Sequence, residues 1–66
     1  MVPTLPLTEL VSHIIRVYTT KGIIELASYS EESAVRIARM LFKGGNGVYK
    51  VHVYQFKPER RILELV

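Results

Sequence analysis

The chain has 66 residues, of which 48% are hydrophobic and 23% charged, with a formal net charge of +3 and no cysteine. This length accommodates one domain, and the hydrophobic fraction is too high for a disordered chain. The lack of cysteine excludes disulfides, thiolate ligands for zinc and thiol nucleophiles. No apolar run reaches the ~20 residues of a membrane span, and the amino-terminal residues lack the basic start of a signal peptide. We therefore expect a cytoplasmic protein with no membrane association.

The small size also bears on the oligomeric state. A domain of this length buries about 4,000 Å² of apolar surface, which contributes about 100 kcal/mol and is offset by a similar loss of conformational entropy. With no disulfide and no evident metal, burial between subunits is the remaining source of stability. We expect a homo-oligomer, with a dimer favoured. The single Asn and single Gln also follow the compositional trend of thermophilic proteins.

Residues 1–11 are predicted to form an arm, because Pro3 and Pro6 exclude both a helix interior and a central strand. Residues 12–66 then form a single α+β domain. The first strand is predicted over 12–19, and the second follows at 23–29 after a tight hairpin. Gly22 supplies the positive φ that this hairpin needs.

A helix is predicted to begin at Ser30, whose hydroxyl can cap the first turn, with Glu31 and Glu32 at the positive end of the helix dipole. At about 100° per residue, apolar side chains occupy one face and charged side chains the opposite face. The apolar face comprises Ala34, Val35, Ile37, Ala38, Leu41 and Phe42, and the charged face comprises Glu32, Arg36, Arg39 and Lys43. Gly44 is predicted to end the helix as a left-handed cap.

Alternating residues predict a third strand over 48–56, and a turn at 57–59 leads to a fourth strand over 60–66. The order ββαββ and a right-handed crossover favour a four-stranded, antiparallel-rich sheet of order 2-1-3-4 with the helix on one face. The other face and two edges are left to the arm, a partner or solvent. The predicted core comprises Ile15, Val17, Ile24, Leu26, Ala34, Ile37, Ala38, Leu41, Val51, Val53 and Leu63.

No catalytic or cofactor motif is present. The four serines lie outside any G-x-S-x-G elbow, and strand periodicity couples neither His13 nor His52 to a serine. The two histidines are expected to be exposed or interfacial strand residues rather than metal ligands. The glycines at 44, 45 and 47 follow a helix, whereas a P-loop precedes one, so capping and a turn explain them. We expect no enzyme activity, no metal and no cofactor.

The sheet face away from the helix is the most suggestive surface, because it interleaves aromatic and basic side chains. The residues predicted on it are Ile14, Arg16, Tyr18, Ile23, Tyr29, Lys50, His52, Tyr54, Phe56 and Ile62. Such a face can form a dimer interface, in which aromatic residues and Arg are enriched. It can also stack bases and neutralise phosphates. We favour the interface, because the stability of so small a domain requires one.

Two function hypotheses follow. The first is a small binding module that acts through protein–protein association, with itself or with a protein partner. The alternative is nucleic-acid binding, either by the basic helix face or by the aromatic and basic sheet face. The candidate contact residues are Arg16, Tyr18, Arg36, Arg39, Lys43, Lys50, His52, Tyr54, Arg60 and Arg61.

Overall fold

The computed structural model describes residues 11–56 and 58–66. The elements in chain order are β1 (His13–Thr19), β2 (Gly22–Ser28), α1 (Glu31–Gly44), β3 (Val48–Gln55) and β4 (Arg60–Leu65). The predicted ββαββ order and α+β class are confirmed. The predicted arm at 1–11 lies outside the described residues, except for residue 11.

The four strands form one sheet of order β2-β1-β3-β4, as predicted, and every neighbouring pair is antiparallel. β1 and β3 are the central strands, while β2 and β4 form the two edges. β2 and β3 are each antiparallel to β1 and are therefore parallel to each other. The connection between them, which contains α1, crosses over β1.

The first turn of α1 follows its sequence signals. The Ser30 hydroxyl accepts a hydrogen bond of 3.1 Å from the Ser33 N–H, and the first turn is acidic. With 14 residues, α1 is too short and too polar to cross a membrane. Within the part of the chain that the structure describes, no helix is long and apolar enough to do so.

The predicted end of the helix is wrong by one residue. Gly44 still belongs to α1, and Gly45 is the cap, with an extended φ of −78°. The Gly45 N–H donates to the Leu41 carbonyl at 2.8 Å. A Cβ at position 45 would lie 2.5 Å from both that carbonyl oxygen and Val48 Cγ2, so the close approach of helix and strand requires glycine there. The positive φ predicted for Gly22 is confirmed, at 139°.

The core lies between α1 and the two central strands. Its fully buried members are Ile15, Val17, Ala34, Ala38, Val51 and Val53. The predicted members Ile37, Leu41 and Leu63 are partly buried and pack against these residues. The two alanines face the sheet, and their small side chains allow the helix backbone to approach it closely.

Two predicted core residues, Ile24 and Leu26, are instead exposed, with 52% and 38% of their surface in water. They pair with Val17 and Ile15 and therefore share the helix-bearing side of the sheet. The helix packs mainly over β3 and β1, so it does not extend far enough to cover the edge strand.

A register shift in the β3–β4 ladder corrects the predicted position of Ile62. Val53 pairs with Leu63 and Tyr54 with Arg61, so Ile62 is the extra residue of a β-bulge. It packs against the core rather than lying on the far side of the sheet. Leu63 packs against the core as well, so two consecutive residues of β4 contribute to it.

Candidate functional site

The side of the sheet away from α1, here called the open face, brings six of the predicted contact residues together. Arg16 pairs with His52, Tyr18 with Lys50, and Tyr54 with Arg61. Glu25 of β2 and Glu64 of β4 extend the row that contains Arg16 and His52. The row therefore reads Glu25, Arg16, His52, Glu64, with acidic residues at both ends and basic residues at the centre.

His52 is buried on the open face, with 6% of its surface exposed, so the expectation of an exposed or interfacial histidine is wrong. Its Nε2 lies 2.9 Å from Glu64 Oε2, and its Nδ1 lies 3.1 Å from Tyr54 Oη. Its ring also makes an edge contact with Tyr18, with 5.1 Å between centroids. The hydrogen bond from His52 lowers the pKa of the Glu64 carboxyl below its ordinary value.

The cations of the open face lie over its aromatic rings. The Arg16 guanidinium is 4.9 Å from the centre of the Tyr54 ring, and Lys50 Nζ is 4.4 Å from that of Tyr18. Arg16 Nη2 also lies 2.7 Å from Glu25 Oε2, and this hydrogen-bonded pair raises the pKa of the Arg16 guanidinium. The rings and cations thus contact one another, which leaves less surface for stacking bases.

A shallow cleft of about 210 Å³ lies beside these contacts between cations and aromatic rings on the open face. Its lining comprises Ile14, Arg16, Glu25, Tyr54, Phe56 and Glu59. Arg16 already bonds to Glu25 within it, so its charge is neutralised inside the protein. The cleft offers no concentrated charge for a ligand.

The second histidine, His13, lies on the opposite side of the sheet, next to the start of α1. Its Nδ1 is 2.7 Å from Ser12 Oγ, and its Nε2 is 3.9 Å from Glu31 Oε1. The contact with Ser12 joins chain neighbours and does not arise from the periodicity of the strand. His13 is buried as well, so the expectation of an exposed or interfacial histidine is also wrong at this position. Its contact with Glu31 is longer than a hydrogen bond, and it links the start of β1 to the first residue of α1.

The positions of the two histidines also bear on metal binding. His13 and His52 lie on different faces of the sheet and cannot share an ion. Over residues 11–56 and 58–66, no three His, Cys, Asp or Glu side chains converge on a common point.

The remaining predicted contact residues lie away from the open face. Arg36, Arg39 and Lys43 are exposed on the outer side of α1, and Arg36 Nη2 forms an ion pair with Glu32, at 3.0 Å. Arg60 is exposed at the start of β4. The ten residues therefore occupy two opposite sides of the molecule and one edge.

The edge strand β2 forms a surface that sequence reasoning missed. Every residue from Gly22 to Ala27 is exposed. Ile23 has 61% of its surface in water, a larger fraction than Ile24 or Leu26. Glu25 is the only charged residue of β2, and Arg16 neutralises it. Apolar residues on both sides of an edge strand are unusual, because such an edge can pair with another chain.

The backbone of β2 is arranged for such pairing. Thr19 and Gly22 pair across a two-residue turn and form the hydrogen-bonded pair that closes the hairpin. Bonded and non-bonded pairs alternate along an antiparallel ladder. Ile23, Glu25 and Ala27 therefore direct their N–H and C=O groups outward, away from β1.

The opposite edge strand, β4, differs in character. Arg60, Arg61 and Glu64 are exposed along it. Charged side chains of this kind discourage pairing at an edge. The two edges of the sheet are therefore chemically distinct, one apolar and one charged.

Comparison of the chain with protein families, with curated proteins and with solved structures returns no match.

Proposed function

We propose that this chain is a small non-catalytic binding module that acts through protein–protein association, and that it associates with a second copy of itself through β2. The observation that carries the proposal is the exposed apolar edge formed by Ile23, Ile24 and Leu26. Strand addition at this edge would bury these side chains and satisfy the outward backbone groups.

A second copy suits this edge because the strand is self-complementary about a two-fold axis at Glu25. In that antiparallel register, Ile24 lies opposite Leu26 of the other copy on the helix side. Ile23 lies opposite Ala27 of the other copy on the open face. Both are apolar cross-strand pairs, each formed twice, and such pairs are the unit of sheet stabilisation. The two central glutamates are each neutralised by an Arg16 of their own copy.

The contrast between the two edges makes the assembly a closed dimer. Pairing of β2 with β4 of another copy would be heterologous and would propagate into a filament. The charges of β4 oppose this, since Arg60, Arg61 and Glu64 would face an apolar strand. Pairing of β2 with β2 leaves both β4 strands at the outer edges of an eight-stranded sheet.

Sedimentation velocity on the full chain tests self-association. We expect a species of twice 7.6 kDa that dissociates on dilution. Leu26→Asn removes both Ile24–Leu26 pairs from the interface and should shift the equilibrium to monomer. Met40→Asn is the matched control, because Met40 is 64% exposed and belongs to α1 rather than to β2. A wild-type chain that remains monomeric at every concentration contradicts the proposal.

A second variant separates pairing at the edge from pairing through the open face. Ala27→Pro removes an outward N–H without touching the β1–β2 ladder, and edge strands tolerate such a proline. We expect monomers from this variant. A dimer that survives Ala27→Pro places the interface elsewhere.

Deletion of residues 1–10 is a separate test. Dimerisation that appears only after this deletion shows instead that the arm covers β2, and this also overturns the proposal.

A further inference from the structure

Antiparallel pairing of β2 with its copy has a fixed consequence for the helices. The two-fold axis that relates neighbouring antiparallel strands of one sheet is perpendicular to that sheet. Both copies of α1 therefore lie on the same side of the eight-stranded sheet, and both open faces lie on the other side.

The outer side of each α1 carries a row of three cations. Arg36, Arg39 and Lys43 are all exposed, and their spacings of three and four residues align them along one side of the helix. Seven residues at ~1.5 Å each make this row about 10 Å long. Glu32 lies beside the row, with its Oε1 3.0 Å from Arg36 Nη2, and because both side chains are exposed, a phosphate oxygen can replace this carboxylate at little cost. The other carboxylates in the described part of the chain lie elsewhere: Glu31 is at the start of α1, Glu25 and Glu64 are on the open face, and Glu59 is in the last turn.

The separation of the two rows follows from the sheet. The helix packs mainly over β1 and β3, one and a half strand spacings from β2. In the dimer, the distance from each helix to its own β2 counts twice, and the spacing between the two β2 strands adds one more. The two helices are therefore four strand spacings apart, or about 19 Å at ~4.8 Å each. A row about 10 Å long spans roughly three phosphates of a strand that rises ~3.4 Å per nucleotide. Two rows at this separation are far enough apart to contact phosphates on both strands of a duplex, whose major groove is about 12 Å wide.

We infer that the helix-bearing side of the dimer binds double-stranded nucleic acid through its phosphates. This inference rests on the proposed association through β2, because a single copy presents only one row. Recognition is independent of base sequence, since the surface between the rows is lined by Ile24 and Leu26, which carry no hydrogen-bonding side chain. The site consists of six cations from two chains, and neither chain holds it alone.

The salt dependence of duplex binding tests the inference quantitatively. Each neutralised phosphate contributes about −0.9 to the slope of log affinity against log salt. Six contacts predict a slope of about −5, or about a thousandfold weakening between 50 and 200 mM salt, and three contacts predict only about fortyfold. The probe is a blunt DNA duplex of mixed sequence, measured by fluorescence anisotropy with the full chain.

Three variants identify the residues involved. Arg39→Gln removes two contacts per dimer and should reduce the slope to about −3.6. Arg61→Gln makes the same change of charge on the open face and should leave the slope near −5. Leu26→Asn keeps the charge but separates the copies, and its slope should fall to about half of the wild-type value.

The outcomes separate this inference from the proposed function. A dimer that binds no duplex overturns the nucleic-acid site and leaves self-association through β2 intact. A monomer that binds duplex with a slope near −3 overturns the dimer and the composite site together. Binding of single strands at least as tight as that of duplex overturns the helix-side site in favour of the open face. Binding to phosphatidylserine vesicles but not to duplex overturns it in favour of a membrane surface.

Discussion

Two isoleucines on the same side of the sheet provide a test of where the core ends. Ile15, on the central strand β1, is fully buried, whereas Ile24, on the edge strand β2, has 52% of its surface in water. Both belong to adjacent strands of one hairpin and both face the helix side. Truncation to alanine removes the same atoms at each position, so the difference in cost measures the difference in burial.

The expected magnitudes differ severalfold. Ile15→Ala deletes side-chain atoms that pack beneath α1, leaves a cavity, and should cost about 2–5 kcal/mol in free energy of unfolding. Ile24→Ala loses only partly buried surface and leaves no enclosed cavity, so we expect about 1 kcal/mol or less. A chain of this length has a total stability of roughly 3–10 kcal/mol, so Ile15→Ala approaches complete unfolding.

Urea denaturation followed by circular dichroism measures both costs. The measurement is made at low protein concentration, so that the proposed association through β2 would add little to the cost of Ile24→Ala. If Ile15→Ala does not fold, Ile15→Val should still cost about 0.5–1.5 kcal/mol. Equal costs for Ile15→Ala and Ile24→Ala would refute the claim that α1 leaves β2 uncovered.

Three further predictions address individual contacts. Ser30→Ala removes the hydrogen bond that caps α1 and should lower the unfolding free energy by about 1 kcal/mol, measured by urea denaturation. Gly45→Ala should lower the melting temperature, because its Cβ would collide with the Leu41 carbonyl, whereas Gly44→Ala, where nothing lies within 4 Å, should not. The pKa of Glu64 is lowered in the folded chain, so its contribution to stability is present above about pH 4.5 and is lost as the pH falls through the folded value. The stability gap between wild type and Glu64→Gln should therefore shrink on acidification, and a gap that is constant from neutral pH to pH 3 would contradict the assignment.

The sequence was sufficient for features that depend on local signals. The N-cap at Ser30, the hairpin glycine at position 22 and the alternation in β3 each act over a few residues, and each was predicted. The strand order also followed, because a right-handed crossover leaves few topologies for four strands and one helix.

Other features depend on how elements meet in space, and these were not predicted. Periodicity places Ile24 on the helix side but does not tell how far one helix extends across four strands. The bulge at Ile62 depends on the pairing of β3 with β4, which a single strand pattern does not show. The burial of His52 arises from side chains of three different strands. The exposed edge at β2 could have been suspected from its one charged residue among seven.

The layer that covers the open face consists of side chains rather than of a second helix. The rings of Tyr18 and Tyr54, with Arg16 and Lys50 over them, shield His52 and the middle of β1 and β3 from water. The central strands are thus enclosed from both sides, while β2 has neither covering. Backbone amides of β1 and β3 should therefore exchange with solvent deuterium only on global unfolding, and the outward amides of β2 should exchange rapidly unless another strand is paired with them.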